Sequence, residues 1–438
     1  MKIAIIGAGW AGLAAAIRLR EHGRAPTVFE SAAIPGGRAR SVDDVNMGLI
    51  DNGQHLMVGA YTATLDLMNA LRPETDEAAL LNRLGLHLES ADESFRMKAP
   101  NWPSPLHSLA ALLGARGLTF HDRIGALRMM ISLRLSGWRA PSLSTVEQLL
   151  KSHRQSERIC RQLWIPLCLA TLNTSPEQSC AQLFLNVLRD TLDAPSHHSD
   201  LLIPNTDLTA LWSGVAADQL DMRYRHIVRN IAIDEDHVMV DSEPFDACIV
   251  AIPPYAVKRV LHVTSNRDAL TELLHMLDQF EYRAIATLTL QLSRTWHLPH
   301  PLLLLKEDHA RGHYGQWVFE RAHAKGPTQL AVVISDAQDF LKHDRDQFVR
   351  SIAEQIGEQI GRRMPSRYSP MPEIMHHRLI VEKRATFAAV PGLNRPRTKT
   401  AWPRMYLAGD WTDTGYPAVL EGAVRSGLQA ADELLATL

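Results

Sequence analysis

An α/β fold is what this 438-residue sequence predicts, on three observations. At the N-terminus an apolar strand pattern, Ile3 to Ile6, passes through a glycine loop into an Ala/Leu-rich helix beginning near Gly12. At the other end, Met405 to Ala408 read as a strand, Gly409-Asp410 as its turn, and Val419 onward as an amphipathic helix. Between them, two alternating strands around the Asp-Glu-Asp-His turn at 234–237 precede a buried strand, Ala247 to Ile252, stopped by Pro253-Pro254.

In the N-terminal loop, Gly7, Gly9 and Gly12 have G-x-G-x-x-G spacing. Gly7 permits a tight turn, Gly9 lets backbone approach a pyrophosphate, and Gly12 lets helix and strand pack closely. The helix N-terminus then offers positive dipole to phosphate. The second strand, Thr-Val-Phe-Glu, ends at Glu30, whose carboxylate can accept hydrogen bonds from a ribose. Together these make the first unit Rossmann-like. Gly36, Gly37 and Arg38 follow as a turn that can bring a guanidinium toward the same phosphates.

Composition sets outer bounds. The chain is long enough for two large domains. Apolar residues make up 46% and charged residues 21%, with a net charge of -2, so nothing global draws it to nucleic acid or acidic lipid. Cys160, Cys168, Cys180 and Cys248 form no C-x-x-C pair and suit a reducing cytoplasm. The pairs His197/His198 and His376/His377 lack metal-ligand spacing, so no metal is expected. No stretch has the roughly 18 apolar residues of a spanning helix.

The order G-x-G-x-x-G, Glu, then Gly-Gly-Arg resembles the flavin amine oxidase and phytoene desaturase superfamily, in which this run holds FAD. The closing "LAGDW…EGAVRSG" is similar to that superfamily's C-terminal FAD motif. The resemblance implies an amine oxidase-like fold whose Rossmann-like FAD domain is built from discontinuous segments: 1–60, 211–255 and 391–438. The substrate domain takes 61–210, mostly helical, and 256–390, mixed strands and helices, an α+β cap. It further implies cofactor contacts at Gly7, Gly9, Ala11, Gly12, Glu30, Gly36, Gly37, Arg38, Gln54, Val228, Gly409, Asp410, Val419 and Leu420. Among these, Asp410 would meet a ribityl hydroxyl, Val419 and Leu420 would donate amides near the pyrimidine ring, and Val228 would meet the adenine through its backbone. Glu421 either anchors that turn or caps the helix.

With "DNGQHLMVGAY" and the stretches 161–190 and 200–212, the chain looks like the squalene-associated FAD-dependent desaturases of hopanoid biosynthesis, whose assigned reaction is hydroxysqualene dehydroxylation. The implied substrate is a long apolar isoprenoid, with hydride delivered from reduced FAD to the carbon that loses hydroxide. Hydroxide is a poor leaving group, so an acid is needed. Within Asp51 to His55, whose polar atoms are expected to face cofactor, water or the leaving hydroxyl, His55 is the first candidate because imidazole titrates near neutrality. Tyr61 and Tyr416 are the alternatives. With a single glycine fingerprint, the electron donor is expected to be separate and stays unidentified.

Residues 106–139 carry Arg116, Arg123, Arg128, Arg134 and Arg139 against only Asp122, among many apolar residues. They read either as a peripheral membrane contact, on the inner face of the cytoplasmic membrane, or as core-facing helices with a solvated side. Three rival activities stay open at this stage. A polyisoprene desaturase would use the same FAD in the opposite redox direction. An amine oxidase would need an aromatic cage, for which Trp402 and Tyr406 offer themselves, and often a lysine. A non-catalytic prenyl-lipid carrier would bind without turnover.

Overall fold

The apolar run Ile3–Ile6 is buried along its whole length and forms the middle of a five-stranded, all-parallel sheet. Across the sheet the strands are Asp221–Arg223, Thr27–Phe29, Ile3–Ile6, Ala247–Val250 and Met405–Leu407. Sequence-distant pieces thus share one hydrogen-bonded layer. The structure, a computed structural model, describes all residues except 234–236, 264–265, 322–325, 339–343, 362–369 and 438.

Because side chains alternate along a strand, the sheet divides its residues between two cores. Ile3 and Ile5 join Val28 and Ile249 against the helices Trp10–Glu21 and Leu420–Leu435. Ala4 and Ile6 face Val250 and Leu407 on the other side, where Ile231 and Phe245 of a small four-stranded sheet cover them. That sheet contains the two expected strands, Ile231–Ile233 and Val238–Val240, in antiparallel register. Of the turn expected between them, residues 234–236 lie outside the described residues.

Several expected boundaries move by one or two residues. The first helix begins at Trp10 rather than near Gly12, the middle strand ends at Val250, and the last helix begins at Leu420. The reason is the same in each case: backbone turns, not apolar periodicity, set the ends. Gly12 lies inside the first helix, where a Cβ would come 1.9 Å from the Gly7 carbonyl oxygen. Only glycine lets the helix cross the strand end that closely.

A second, antiparallel sheet has the order Leu302–Leu304, Trp317–Glu320, Gln329–Ser335, Tyr282–Leu292, Ile374–Phe387. Leu288, Leu290, Val332 and Ile334 pack on the helix Arg345–Gly361 through Ile352 and Ile356. The alternate residues, including Thr287, Trp317, Phe319 and Val333, face a cavity. The opposite wall comes from helices of the 106–192 stretch. Asn173 ties this wall to the sheet. It ends the helix Ile165–Leu172 in a left-handed conformation, donates from Nδ2 to Thr386 Oγ1 at 2.9 Å and accepts the Asp336 amide at 2.7 Å.

Candidate active site

A single cavity of about 960 Å³ runs from the glycine loop to the space between the second sheet and the helices. Its narrow, polar end is built by three turns. The Gly7–Gly9 loop leads into the helix Trp10–Glu21, whose first turn has no side-chain cap, so its amides face the cavity unpaired within the helix. Gly36 donates its amide to the Ala8 carbonyl at 2.8 Å, and a Cβ on Gly37 would sit 3.0 Å from Gly9 Cα. Glu30, at the end of its strand, accepts the amides of Ala8 at 2.8 Å and Ala32 at 2.7 Å, leaving further lone pairs beside the cavity.

Gly7, Gly9, Ala11, Glu30, Gly36, Gly37, Arg38, Gln54, Val228, Gly409, Asp410, Val419 and Leu420 all border this cavity, and Gly12 packs just behind it. The set fits a dinucleotide: unpaired amides and a guanidinium for phosphate, and a carboxylate for ribose. Two of the residues expected to meet the cofactor have hydrogen-bond partners within the protein. Val419 donates its amide to the Pro417 carbonyl at 2.8 Å, so that donor is occupied by the turn it belongs to. Leu420, the first helical residue, has no intrahelical acceptor for its amide. Asp410 directs its carboxylate to Arg38 Nη2, at 2.7 and 2.8 Å, rather than standing alone for a ribityl hydroxyl.

Glu421 is neither a turn anchor nor a cap of its own helix. Fully buried, it accepts the amides of Ala63 and Thr64, each at 3.0 Å, and the Thr64 hydroxyl at 2.7 Å, so it caps the helix Thr62–Leu71 from outside. Arg425 Nε at 2.7 Å balances its charge.

The stretch Asp51 to His55 divides. Asp51 turns away from the cavity into a buried ion pair with Arg321 Nη2 at 3.3 Å and accepts the Leu208 amide at 2.9 Å. Burial outweighs that cation and holds its carboxyl up at about 6. Asn52, Gly53, Gln54 and His55 line the cavity. Burial, reinforced by the Arg38 charge, pulls the His55 imidazole down to about 4, so it is neutral at pH 7. A ring titrating near neutrality, the premise for its acid role, is not what this enclosed position provides. Thr287, on the facing sheet, lies across the Gly53 position from it.

Tyr61 and Tyr416 both reach the cavity. Burial raises the Tyr61 phenol well above its ordinary value, with Glu421 and Tyr416 adding to the effect. Tyr416, pushed up to about 12 by burial and by Asp190, donates its hydroxyl to Asp190 Oδ2 at 2.7 Å. Beyond these phenols the chamber wall is dominated by residues such as Leu112, Leu163, Phe184, Leu188, Trp317 and Phe319. Trp402 and Tyr406 are buried in the cores and do not line the cavity, and among the described residues no lysine does.

Sequence reasoning missed Asp190, Thr287 and Arg321, and it drew no cavity wall from Trp317 and Phe319. The last two carried a signal, since Trp-Val-Phe-Glu alternates in the way a strand with one wall-facing side must. Asp190 and Arg321 carried none, because their partners are fixed by tertiary packing.

The profile of flavin containing amine oxidoreductases matches residues 10–435 of this chain. A hydroxysqualene dehydroxylase from Rhodopseudomonas palustris is 31% identical, with 99% of this chain and 98% of that protein covered. A 15-cis-phytoene desaturase from Synechococcus elongatus is 23% identical over 100% of this chain and 96% of that one. Among solved structures, cyclohexylamine oxidase from Brevibacterium oxydans superposes with a TM-score of 0.70 at 17% identity, covering 99% of this chain and 98% of that one.

Proposed function

The chain belongs to the flavin-containing amine oxidoreductase family and is an FAD-dependent oxidoreductase, and from that premise we propose that it converts hydroxysqualene to squalene and water. The observation that carries the reading is the continuity of the dinucleotide cradle with a large apolar chamber bordered by phenols. A long isoprenoid alcohol matches that lining, while among the described residues neither a lysine nor Trp402 or Tyr406 borders it, so the cavity lacks the groups expected for amine oxidation. The hydroxysqualene dehydroxylase relative supports the same choice, and the phytoene desaturase relative supports polyisoprene desaturation as the second reading.

In the proposed reaction Glu30, the first turn of the helix Trp10–Glu21 and Arg38 hold the dinucleotide, and Asp410 fixes the Arg38 guanidinium. Bound FAD in its reduced form would supply one hydride, which carries both electrons of the reduction. The apolar walls keep water from an allylic cation formed as hydroxide departs. His55, neutral, orients the hydroxyl by a hydrogen bond, and a phenol supplies the proton.

The substrate would arrive from lipid. Trp102, Leu106, Leu113, Phe120, Ile131 and Leu135 are exposed large apolar side chains on one stretch, with Arg116, Arg128 and Arg139 exposed among them. The helix Leu106–Gly114 also turns Ser108 and Leu112 toward the cavity. We read this surface as a peripheral contact with an anionic bilayer. Among the described residues no helix is long and apolar enough to cross a membrane.

Anaerobic incubation of the photoreduced holoprotein with hydroxysqualene, phytoene or an amine tests the reaction. Flavin absorbance is expected to return with hydroxysqualene alone, with squalene formed in matching amount. Bleaching of the oxidised protein by phytoene, without squalene formation from hydroxysqualene, would replace this reading by the desaturase.

A further inference from the structure

The helix Ala181–Leu192 carries an acidic side chain to the polar corner of an otherwise apolar chamber. Asp190 and Asn186 are one turn apart on the same face. Asn186 Nδ2 donates to the Gly415 carbonyl at 2.8 Å, and Asp190 Oδ2 accepts from Tyr416 Oη at 2.7 Å. Two bonds from one helix face therefore fix both the backbone and the phenol of the 415–416 segment.

Asp190 also connects outward. Its Oδ1 accepts from Arg189 Nε at 2.6 Å, and the Arg189 side chain is about half exposed, at 47%. The order Arg189, Asp190, Tyr416 leads from solvent to the chamber. Other charged or titratable groups face this corner. Arg425 lies 5.2 Å from the Tyr416 ring and pairs with Glu421, Tyr61 lies beside both, and His198 meets the backbone of Asp190. Among the described residues, no carboxylate hydrogen-bonds Tyr61 in the way Asp190 bonds Tyr416.

Resting on the dehydroxylation proposed above, we infer that Asp190 is a positioning residue that aims the Tyr416 phenol and resupplies its proton, making Tyr416 the acid for the leaving hydroxyl. As the C–O bond breaks, both its electrons stay on oxygen, and the Tyr416 Oη proton joins that oxygen to release water. The carbon takes the hydride that the reduced cofactor supplies. Asp190, protonated from solvent beside Arg189, then returns a proton to Tyr416 Oη.

The test compares wild type with Tyr416→Phe, Asp190→Asn and Asp190→Glu. Loss of positioned acid catalysis is expected to lower kcat about 100-fold in Asp190→Asn and Tyr416→Phe. KM should change less than about twofold for Asp190→Asn, which should also flatten the pH profile of kcat, and Asp190→Glu should restore most of the rate. A second readout needs no turnover. Hydroxysqualene and squalene should each quench tryptophan fluorescence of the FAD-free protein through Trp164 and Trp317 on the cavity wall. Tyr416→Phe should weaken hydroxysqualene binding roughly 3- to 10-fold and leave squalene binding unchanged, the effect of one lost hydrogen bond.

Wild-type kcat and pH profile in Asp190→Asn, while wild type forms squalene, would overturn the relay and leave the dehydroxylase reading standing. A fall in kcat that only tracks lost FAD or folded protein would overturn it too, reducing Asp190 to an anchor. Wild type that forms no squalene from hydroxysqualene overturns both.

Discussion

Arg38 Nη2 stands 2.7 and 2.8 Å from the two carboxylate oxygens of Asp410, joining residues 372 positions apart at the mouth of the dinucleotide cradle. The Asp410 side chain is 9% exposed and that of Arg38 is 41% exposed, toward the cavity. The pair is therefore worth less than the roughly 3–5 kcal/mol of a fully buried one. Asp410→Asn is expected to weaken FAD retention about tenfold and to lower the melting midpoint. Arg38→Gln combined with Asp410→Asn should cost less than the sum of the single changes. Flavin fluorescence released on dilution, followed with thermal melts, measures both.

How much of this was legible beforehand depends on how locally each feature is determined. Gly7, Gly12 and Glu30 announce themselves because turn geometry and strand ends demand particular residue types, and the parallel sheet follows from such units. Motifs single out both Asp410 and Arg38 but not their pairing, since nothing local to either residue indicates that the other is 2.7 Å away. Val419 shows a finer limit. A motif suggested an amide donor, but the Pro417 carbonyl already takes that amide. For His55 the sequence offers only the solution pKa of an imidazole, and the desolvation that lowers it arises from the folded cavity.

The buried Asp51–Arg321 pair should behave as a stability element. Arg321→Met removes the Arg321 cation from the buried Asp51 carboxylate and is expected to cost on the order of 3 kcal/mol at pH 8. Asp51 has a folded-state pKa raised to about 6. Its differential protonation therefore favours the fold fully below the unfolded value near 4, and that contribution is lost as pH rises through 6. Arg321→Met removes the influence that lowers the Asp51 pKa, so its deficit should shrink on acidification as Asp51 takes a proton. Urea melts of both proteins at pH 5 and pH 8 read this out. Equal deficits at the two pH values would contradict the assignment.

His55 predicts the opposite trend. Its folded-state pKa is lowered to about 4, so its contribution to stability is present above the unfolded value near 6.5 and is lost as pH falls from there toward 4. The slope for one such group is at most about 1.4 kcal/mol per pH unit. His55→Gln should remove that slope. Its imidazole signals in a nuclear magnetic resonance titration of the FAD-free protein should show a midpoint near 4. A midpoint near neutrality would restore His55 as a titrating acid.

The exposed surface of residues 102–139 makes a prediction that separates a lipid contact from a merely solvated helix face. The stretch forms two helices, Leu106–Gly114 and Phe120–Leu135. The second buries Ala126, Met129, Met130 and Leu133, so these positions serve the core, while Phe120, Ile131 and Leu135 are exposed. Exposed apolar residues beside Arg116 and Arg128 would gain both burial and counter-charge at an acidic headgroup layer. Cosedimentation with vesicles rich in anionic lipid is expected, with little binding to neutral vesicles and weakening at high salt. Phe120→Ser with Leu135→Ser should reduce binding at least tenfold, by removing apolar area worth about 25 cal/mol per Å². The same double change leaves the cavity wall intact, so turnover of detergent-dispersed hydroxysqualene should persist while turnover from vesicles falls. Equal cosedimentation of the double variant and wild type would return this surface to the ordinary solvated face of a core-packed helix pair.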